Sequence, residues 1–351
     1  MNISKKGEKN KIFWYNCTYM IQFRKPNSKE EWNSLAMYLE ASFVQSFEYG
    51  DSQESVSRKI ERRIVSKDGK DCGIIFLVFY KALGKYTFGY CPHGPVLSQD
   101  DDVFKEVVAE IRKIAKENRA IFVRIESKNK HKEPWIFLSP KFSALGASFQ
   151  PSLDWVLKIE KEEDKLLFEM DQNARYSIKL ALKNEVKAEI SNPSNDQVEI
   201  LVKLMEETSK RNGFGLHDKK YYDSIFKSLN EKNSFFVTTR KDGAVISSAL
   251  ILIFGKEALY LFGGSSSLDR KVSASYLGQW TAIQEAKKRG VEKYNFGAVS
   301  DEKGFPQDFK GITMFKKKFG GEYFYHGDFY DIVLNKSLYA LFLLRKFLKN
   351  K

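Results

Sequence analysis

The sequence predicts an α+β chain in which one domain occurs twice in tandem. Three observations carry this. A Lys-Asp-Gly turn occurs twice, at Lys67-Asp68-Gly69 and Lys241-Asp242-Gly243, and Asp-Gly between apolar runs is a strong hairpin signal. Each turn opens onto a long apolar segment, Gly73–Lys81 in one half and Ala244–Phe254 in the other. The elements that follow keep the same order in both halves, and the two turns are separated by close to half of the 351 residues.

The first unit opens with a helix over Lys29–Glu40. Strands at Arg62–Ser66 and Gly73–Lys81 form the hairpin, and a turn at Leu83-Gly84 leads to a strand over Lys85–Cys91. Val103, Val107, Val108, Ile111, Ile114 and Ala115 fall at helical spacing and predict a helix over Asp102–Glu117, followed by a strand at Ala120–Ile125. The boundary falls at Ser148–Asp154, around Pro151, which gives units of 1–150 and 151–351. Helices are expected in the second unit at Glu162–Met170, Gln172–Lys183 and Asp196–Gly213. Its meander runs through Phe235–Arg240, Ala244–Phe254 and Ala258–Gly263. A helix over Ala274–Arg289, stopped by Gly290, and a strand at Lys293–Gly297 complete the repeat. The chain closes on a basic amphipathic helix, Ser337–Lys351, with Leu338, Leu341, Phe342, Leu344, Phe347 and Leu348 as its apolar residues.

A hydrophobic fraction of 42% with 14% aromatics excludes a disordered chain. Three cysteines without motif spacing (Cys17, Cys72, Cys91) argue against a disulfide framework or a zinc site and fit free thiols in a reducing cytoplasm. The four histidines have no metal spacing, and His93 reads as a base or as a turn residue. The start of the chain is polar, and the longest apolar run is interrupted by Ser247 and Ser248, so a cytoplasmic protein is expected. The net charge of +13 points to an anionic partner: nucleic acid, a phosphorylated substrate or a membrane surface. Residues 1–11 carry +3 of it and residues 310–351 carry +6.

Eight strings, in order, resemble the Fem family of peptidoglycan interpeptide-bridge aminoacyltransferases. Ser42-Phe43-Val44-Gln45-Ser46-Phe47-Glu48-Tyr49-Gly50 is similar to its entry motif, and Tyr90-Cys91-Pro92-His93-Gly94-Pro95 to its Tyr-x-Pro-Arg-Gly-Pro segment. Asn173-Ala174-Arg175-Tyr176-Ser177-Ile178-Lys179 resembles its Arg-Tyr-Asn-Ile-Arg helix, and Arg211-Asn212-Gly213-Phe214 its Arg-x-Gly-Phe loop. Tyr260-Leu261-Phe262-Gly263-Gly264, Tyr276-Leu277-Gly278-Gln279-Trp280 and Tyr294-Asn295-Phe296-Gly297 follow in the family's order. Phe315-Lys316-Lys317-Lys318-Phe319-Gly320-Gly321 resembles its Phe-Lys-x-x-Phe-Gly-Gly signature. The sequence departs at His93, where the family has Arg, and at Phe47 and Tyr49, where tryptophans are common. Asn184–Leu229 has no sustained heptads, so the coiled-coil arm of the glycine-adding members looks absent.

The resemblance implies two acetyltransferase-like (GNAT) domains. It also implies transfer of an amino acid from aminoacyl-tRNA, a co-substrate, to a stem-peptide amine of a peptidoglycan precursor, with no further cofactor, by a monomer. The precursor is UDP-MurNAc-pentapeptide or lipid II, and the missing arm tilts the expectation toward the soluble one. The motifs nominate Lys316, with Phe315, as catalytic. Arg211, Tyr260, Tyr90, Gln45, Asn173, Arg175, Tyr176 and Lys179 are nominated for substrate binding. A solvated Lys316, an Arg211 facing its helix dipole, a packing Tyr260 and a solvated face for the Asn173–Lys179 helix are the plain alternatives. The terminal helix either docks on its own domain or meets the anionic inner leaflet. Neither half carries the Gln/Arg-x-x-Gly-x-Gly/Ala loop with which acetyltransferases hold coenzyme A, which weighs against an acyl-CoA-dependent enzyme. A non-catalytic tRNA- or membrane-binding module is the other rival.

Overall fold

Alternation of apolar strands with amphipathic helices builds two sheets, one per repeat, in a computed structural model. It describes residues 20–98, 103–127, 136–138, 150–213, 215–216, 218–303 and 310–349. Cys17, Asp102, His131, Phe214, His217 and the lysine-rich start lie outside the described residues.

The first lobe contains β1 (Ile21–Arg24), α1 (Lys29–Tyr38), α2 (Phe47–Ser55), β2 (Lys59–Lys67), β3 (Lys70–Lys81), β4 (Thr87–Cys91), β5 (Val96–Leu97), α3 (Phe104–Glu117), β6 (Ala120–Ser127) and β7 (Ile136–Leu138). The second contains β8 (Leu153–Lys158), α4 (Glu163–Glu169), α5 (Gln172–Lys183), β9 (Lys187–Ser191), α6 (Asn195–Asn212), α7 (Lys219–Phe226) and β10 (Ser234–Lys241). It continues through β11 (Ala244–Phe254), β12 (Glu257–Ser265), α8 (Asp269–Val272), α9 (Ala274–Lys288), β13 (Lys293–Ala298), α10 (Lys310–Lys317) and β14 (Glu322–Tyr325). The chain ends with β15 (Asp328–Val333) and α11 (Lys336–Lys349).

The duplication is visible in the backbone. Asp68 and Gly69 sit at φ +50° and +78°, and Asp242 and Gly243 at +49° and +78°. Two consecutive positive φ values make the turn that matches strand twist, which is why Asp-Gly stands at both places. Each meander (β2–β3–β4, β10–β11–β12) is antiparallel. Each then crosses through a helix, α3 or α9, to a parallel neighbour, β6 beside β4 and β13 beside β12. The sheet orders are β1-β2-β3-β4-β6-β15-β7, with β5 beside β3, and β14-β8-β13-β12-β11-β10-β9. The fold is α+β with two GNAT-like domains. Asn184–Leu229 folds back as β9, α6 and α7, with no extended arm.

α3 turns Val107, Val108, Ile111, Ile114 and Ala115 into the first core, and α9 turns Leu277, Trp280, Ile283 and Ala286 into the second. Each valine, leucine and isoleucine among them contributes about 1.5–3 kcal/mol when fully buried. A third cluster spans the lobes: Phe43 and Tyr49 of the first pack with Ile225 and Leu252 of the second, and Phe43 meets Phe254 edge-on at 6.5 Å.

The expected division at residue 150 needs one correction. β15 lies in the first sheet, between β6 and β7. α11 follows it, placing Leu338, Tyr339 and Phe342 against Phe88, Ile121, Phe122 and Val333. Residues 328–349 therefore pack with the first lobe, not the second. The central charge of Asp-Phe-Tyr-Asp-Ile-Val makes this strand hard to read: Asp331 is fully buried, and Arg124 of β6, with the Tyr339 hydroxyl, makes that tolerable.

Candidate active site

The two parallel strand pairs differ. β4 and β6 stay paired from Thr87↔Ala120 to Cys91↔Ile125, with one register shift between Thr87 and Gly89. β12 and β13 pair only at Glu257–Leu259 with Lys293–Asn295. Beyond that point Asn295 redirects β13. Its Oδ1 accepts from Gly297 N at 2.7 Å, its Nδ2 donates to Asp154 at 2.9 Å, and Gly297 takes φ +72°. The second sheet thus opens into a fork, while the first stays closed.

Beside the free end of β12 lies a cleft of about 180 Å³, lined among others by Arg211, Tyr260, Asp269, Gln279 and Phe315. Arg211 is carried on the last turn of α6, which Gly213 ends at φ +72°. Its guanidinium donates to Ser265 O at 2.9 Å and Ser265 Oγ at 3.2 Å, which ties α6 to the end of β12. Glycine is required on β12. A Cβ on Gly263 would fall 1.9 Å from the Tyr260 hydroxyl, and one on Gly264 would fall 2.4 Å from the Leu204–Met205 backbone of α6. Burial pushes the Tyr260 phenol up to about 12, with Asp269 adding to the shift, so it stays protonated and able to donate. Asp269 holds Ser275 N and Oγ at 2.7 Å each, capping the start of α9.

Phe315 stands edge-on to Tyr276 (4.9 Å) and Phe319 (5.3 Å), which fixes the wall of the cleft. The next residue, Lys316, is buried, with 6% of its surface exposed. Its Nζ donates to Ala298 O at 2.7 Å. Nζ and Tyr260 O both lie within 4 Å of the point a Cβ on Gly297 would occupy, so the amine sits in the fork itself. Burial pushes the Lys316 amine down to about 8, against the pull of Asp154. At neutral pH it remains a cation in a place with little water, where it acts strongly on developing negative charge.

A second cavity, of about 800 Å³, lies between the lobes. His93 and Glu126 reach it from the first lobe, and Glu257, Lys293, Tyr323 and His326 from the second. The His93 and His326 rings stack at 3.5 Å, and His326 Nε2 lies 2.9 Å from Asp154 Oδ2. Burial pushes His93 down to about 3, helped by His326, so it is neutral. Burial pushes Glu126 up to about 8. For Asp154, burial favours the acid, but the hydrogen bonds from His326 and Asn295 win and hold it below its usual range.

The structure places Arg211, Tyr260 and Phe315 around one cleft, and Lys316, the next residue after Phe315, in the fork behind it without lining it. It corrects two other assignments. Tyr90 is fully buried. Its hydroxyl bonds to Glu126 Oε1 and accepts from Gln150 N at 3.0 Å, so it braces the junction of the lobes rather than facing a ligand. Gln45 is also fully buried, and its amide donates to Pro92 O, holding the Pro92-His93-Gly94 loop. Asn173, Tyr176 and Lys179 are exposed on α5, and Arg175 donates to the Phe168 and Met170 carbonyls. None of the four lines either cavity. His93 is a turn residue, at φ +47°, with Nδ1 bonded to Ser42 Oγ at 2.8 Å. Asp269, Asp154 and His326 escaped the motif reading, because none of them lies in one of the eight strings. Among the described residues no group of three His, Cys, Asp or Glu side chains is placed to hold a metal. No helix among them is long and apolar enough to cross a membrane.

Paired acyltransferase-like lobes, one closed and one forked around a buried lysine, define a transferase. The FemAB family model matches residues 141–241 and 234–346, more than half of the chain, and the chain belongs to that family. The lipid II:glycine glycyltransferase of Staphylococcus saprophyticus is 24% identical over 357 residues, covering 80% of this chain and 85% of that protein. The same-named protein of Staphylococcus aureus is 23% identical over 362 residues, with the same coverage. The crystal structure of FemX superposes with a TM-score of 0.80 at 19% identity, over 91% of this chain and 99% of that one. L-PGS from Bacillus licheniformis is more distant, with a TM-score of 0.51 at 12% identity over 93% and 98% of the two chains.

Proposed function

We propose that this protein transfers an amino acid from aminoacyl-tRNA to a stem-peptide amine of a peptidoglycan precursor. The observation that carries the proposal is the Lys316 ammonium buried in the fork between β12 and β13, next to a cleft lined by Arg211, Tyr260 and Phe315. The donor is an activated ester. The neutral acceptor amine attacks its carbonyl carbon, the C–N bond forms, and negative charge gathers on the carbonyl oxygen. Lys316 stabilises that oxyanion. Collapse breaks the bond to the ribose oxygen, which takes up the proton released by the amine. No covalent enzyme intermediate is needed, and holding two large substrates in register supplies much of the acceleration. Arg211 offers its remaining donors to a phosphate or diphosphate. Asp269 is the carboxylate placed to meet the α-ammonium of the aminoacyl group. The excess of basic residues suits two polyanionic substrates. The names of the staphylococcal relatives favour a lipid-linked acceptor, against the tilt from the missing arm.

Mass spectrometry of reactions containing mixed aminoacyl-tRNAs with either UDP-MurNAc-pentapeptide or lipid II tests this. One defined mass increment on one precursor is expected, lost in Lys316→Ala and kept in Lys318→Ala. No increment on either precursor, or full activity of Lys316→Ala, would overturn it.

A further inference from the structure

α11 has two apolar faces, and the fold uses one of them. Leu338, Tyr339 and Phe342 pack on the first lobe, with Phe342 only 4% exposed. The Tyr339 hydroxyl donates to buried Asp331 at 2.7 Å, which fixes the rotation of the helix about its axis. That rotation turns Leu341, Leu344 and Leu348 outward, 52%, 54% and 63% exposed. Spacings of three and four residues place them in one stripe, with half-exposed Phe347 beside it. A folded domain rarely leaves three leucines in line on its surface without a use.

The charge around the stripe has one sign. The charged residues of α11 are Lys336, Arg345, Lys346 and Lys349, with no acidic residue among them. Exposed Lys85 lies in the turn whose Leu83 and Tyr86 pack against the same cluster, and Arg112, which donates to Val333 O, stands at the approach to the helix. Asp331, the carboxylate that the helix touches through Tyr339, is buried and taken up by Arg124 and Tyr339. Apolar residues framed by cations match the boundary of an anionic bilayer, where leucines enter the acyl region and cations meet lipid phosphates. A second copy of the same helix would bring the same charges together, so self-association is disfavoured.

We propose that the outer face of α11 is a docking surface for an anionic lipid bilayer, a rigid platform held by the first lobe. The surface is independent of the reaction proposed above. The active-site fork is in the other lobe.

The test is flotation of the full chain with vesicles of phosphatidylcholine containing about one-third phosphatidylglycerol, against phosphatidylcholine alone, at physiological salt. Binding to the anionic vesicles is expected, weakened by higher salt. The double variant Leu344→Gln/Leu348→Gln should bind at least about tenfold less, with unchanged melting because both side chains are exposed. Arg345→Glu should also weaken binding. Light scattering gives the oligomeric state of each. Failure of the wild-type chain to float, equal flotation of the leucine variant, or a dimer that this variant dissociates would each overturn the proposal.

Discussion

Arg124 and Asp331 form a two-bond ion pair in the interior of the first lobe. Nε and Nη2 each donate at 2.7 Å, and the side chains are 3% and 0% exposed. The pair crosses 207 residues of sequence and fastens the last strand into the first sheet. A buried pair adds little over a well-packed apolar pair, but removing one member strands the other. Asp331→Ala should therefore destabilise the protein by about 3–5 kcal/mol. Arg124→Met combined with Asp331→Leu should recover most of that loss. Urea midpoints of the three variants check this, with protease cleavage near β15 as a local readout.

Asp269 makes a narrower prediction. The neutral isostere Asp269→Asn can still accept from Ser275 N through its carbonyl oxygen while its amide donates to Ser275 Oγ, so α9 should remain capped. It no longer attracts an ammonium. KM for aminoacyl-tRNA should rise by roughly tenfold, the effect of losing a charge-assisted hydrogen bond worth about 1.5 kcal/mol, while KM for the precursor stays constant. Initial rates with each substrate varied in turn measure both. Equal rises would mean that the change reached the site through α9 instead.

Gly264 tests the packing that positions Arg211. An alanine Cβ would sit 2.4 Å from the α6 backbone, so the helix must move. Overpacking of this kind costs about 1–3 kcal/mol. Because Arg211 rides on the same helix, Gly264→Ala should lower both the melting temperature and the transfer rate. Gly215→Ala, with nothing within 4 Å of its Cβ and no positive φ, is the control and should change neither. Thermal melts and transfer rates of the two variants give the comparison.

Much of this architecture is legible locally. The two Asp-Gly turns, the apolar spacing of α3 and the Gly290 stop all act through neighbouring residues, and their elements stand where the sequence places them. β15 is not legible, because its charge is satisfied by Arg124, far away in sequence. The site divides in the same way. Phe315-Lys316, Arg211 and Tyr260 converge because glycines at 263 and 264 let β12 and α6 touch. Tyr90 and Gln45 belong to similar strings, yet a motif does not distinguish a residue that meets a ligand from one that holds a loop. Only the burial of both side chains and their bonds to Glu126 and Pro92 show which they are.

Glu126 should give the lobe junction a pH signature. Its carboxyl is pushed up to about 8 by burial, whereas in the unfolded chain it titrates near 4.5. The folded state thus keeps a proton that the unfolded state releases, and stability falls as pH rises from about 4.5 to about 8. Glu126→Gln lacks this titration, and its amide can donate to the Tyr90 oxygen while its carbonyl accepts from His93 N. The variant should match the wild type near pH 4.5, gain on it up to pH 8, and hold a constant advantage above. Melting temperatures across that range decide it, and a difference independent of pH would reassign the effect to packing.

Lys316 links stability and chemistry through one proton. Its pKa of about 8 lies below the 10.5 of a free lysine. The unfolded chain therefore binds the proton more tightly, and the penalty is fully present below pH 8 and relieved as pH rises toward 10.5. Lys316→Met should for that reason be more stable than the wild type at pH 7, by up to about 3 kcal/mol less the lost bond to Ala298. The same variant should be inactive. If the ammonium stabilises the oxyanion, kcat/KM of the wild type, expressed per neutral acceptor amine, should fall tenfold per pH unit above about 8 as Lys316 loses its proton. Lys316→Arg keeps its charge throughout this range, so whatever activity it retains should lack the alkaline fall. A stable, inactive Met variant beside an Arg variant without the alkaline limb would separate a catalytic cation from a structural one. An alkaline limb unchanged in the Arg variant would assign that limb to another group.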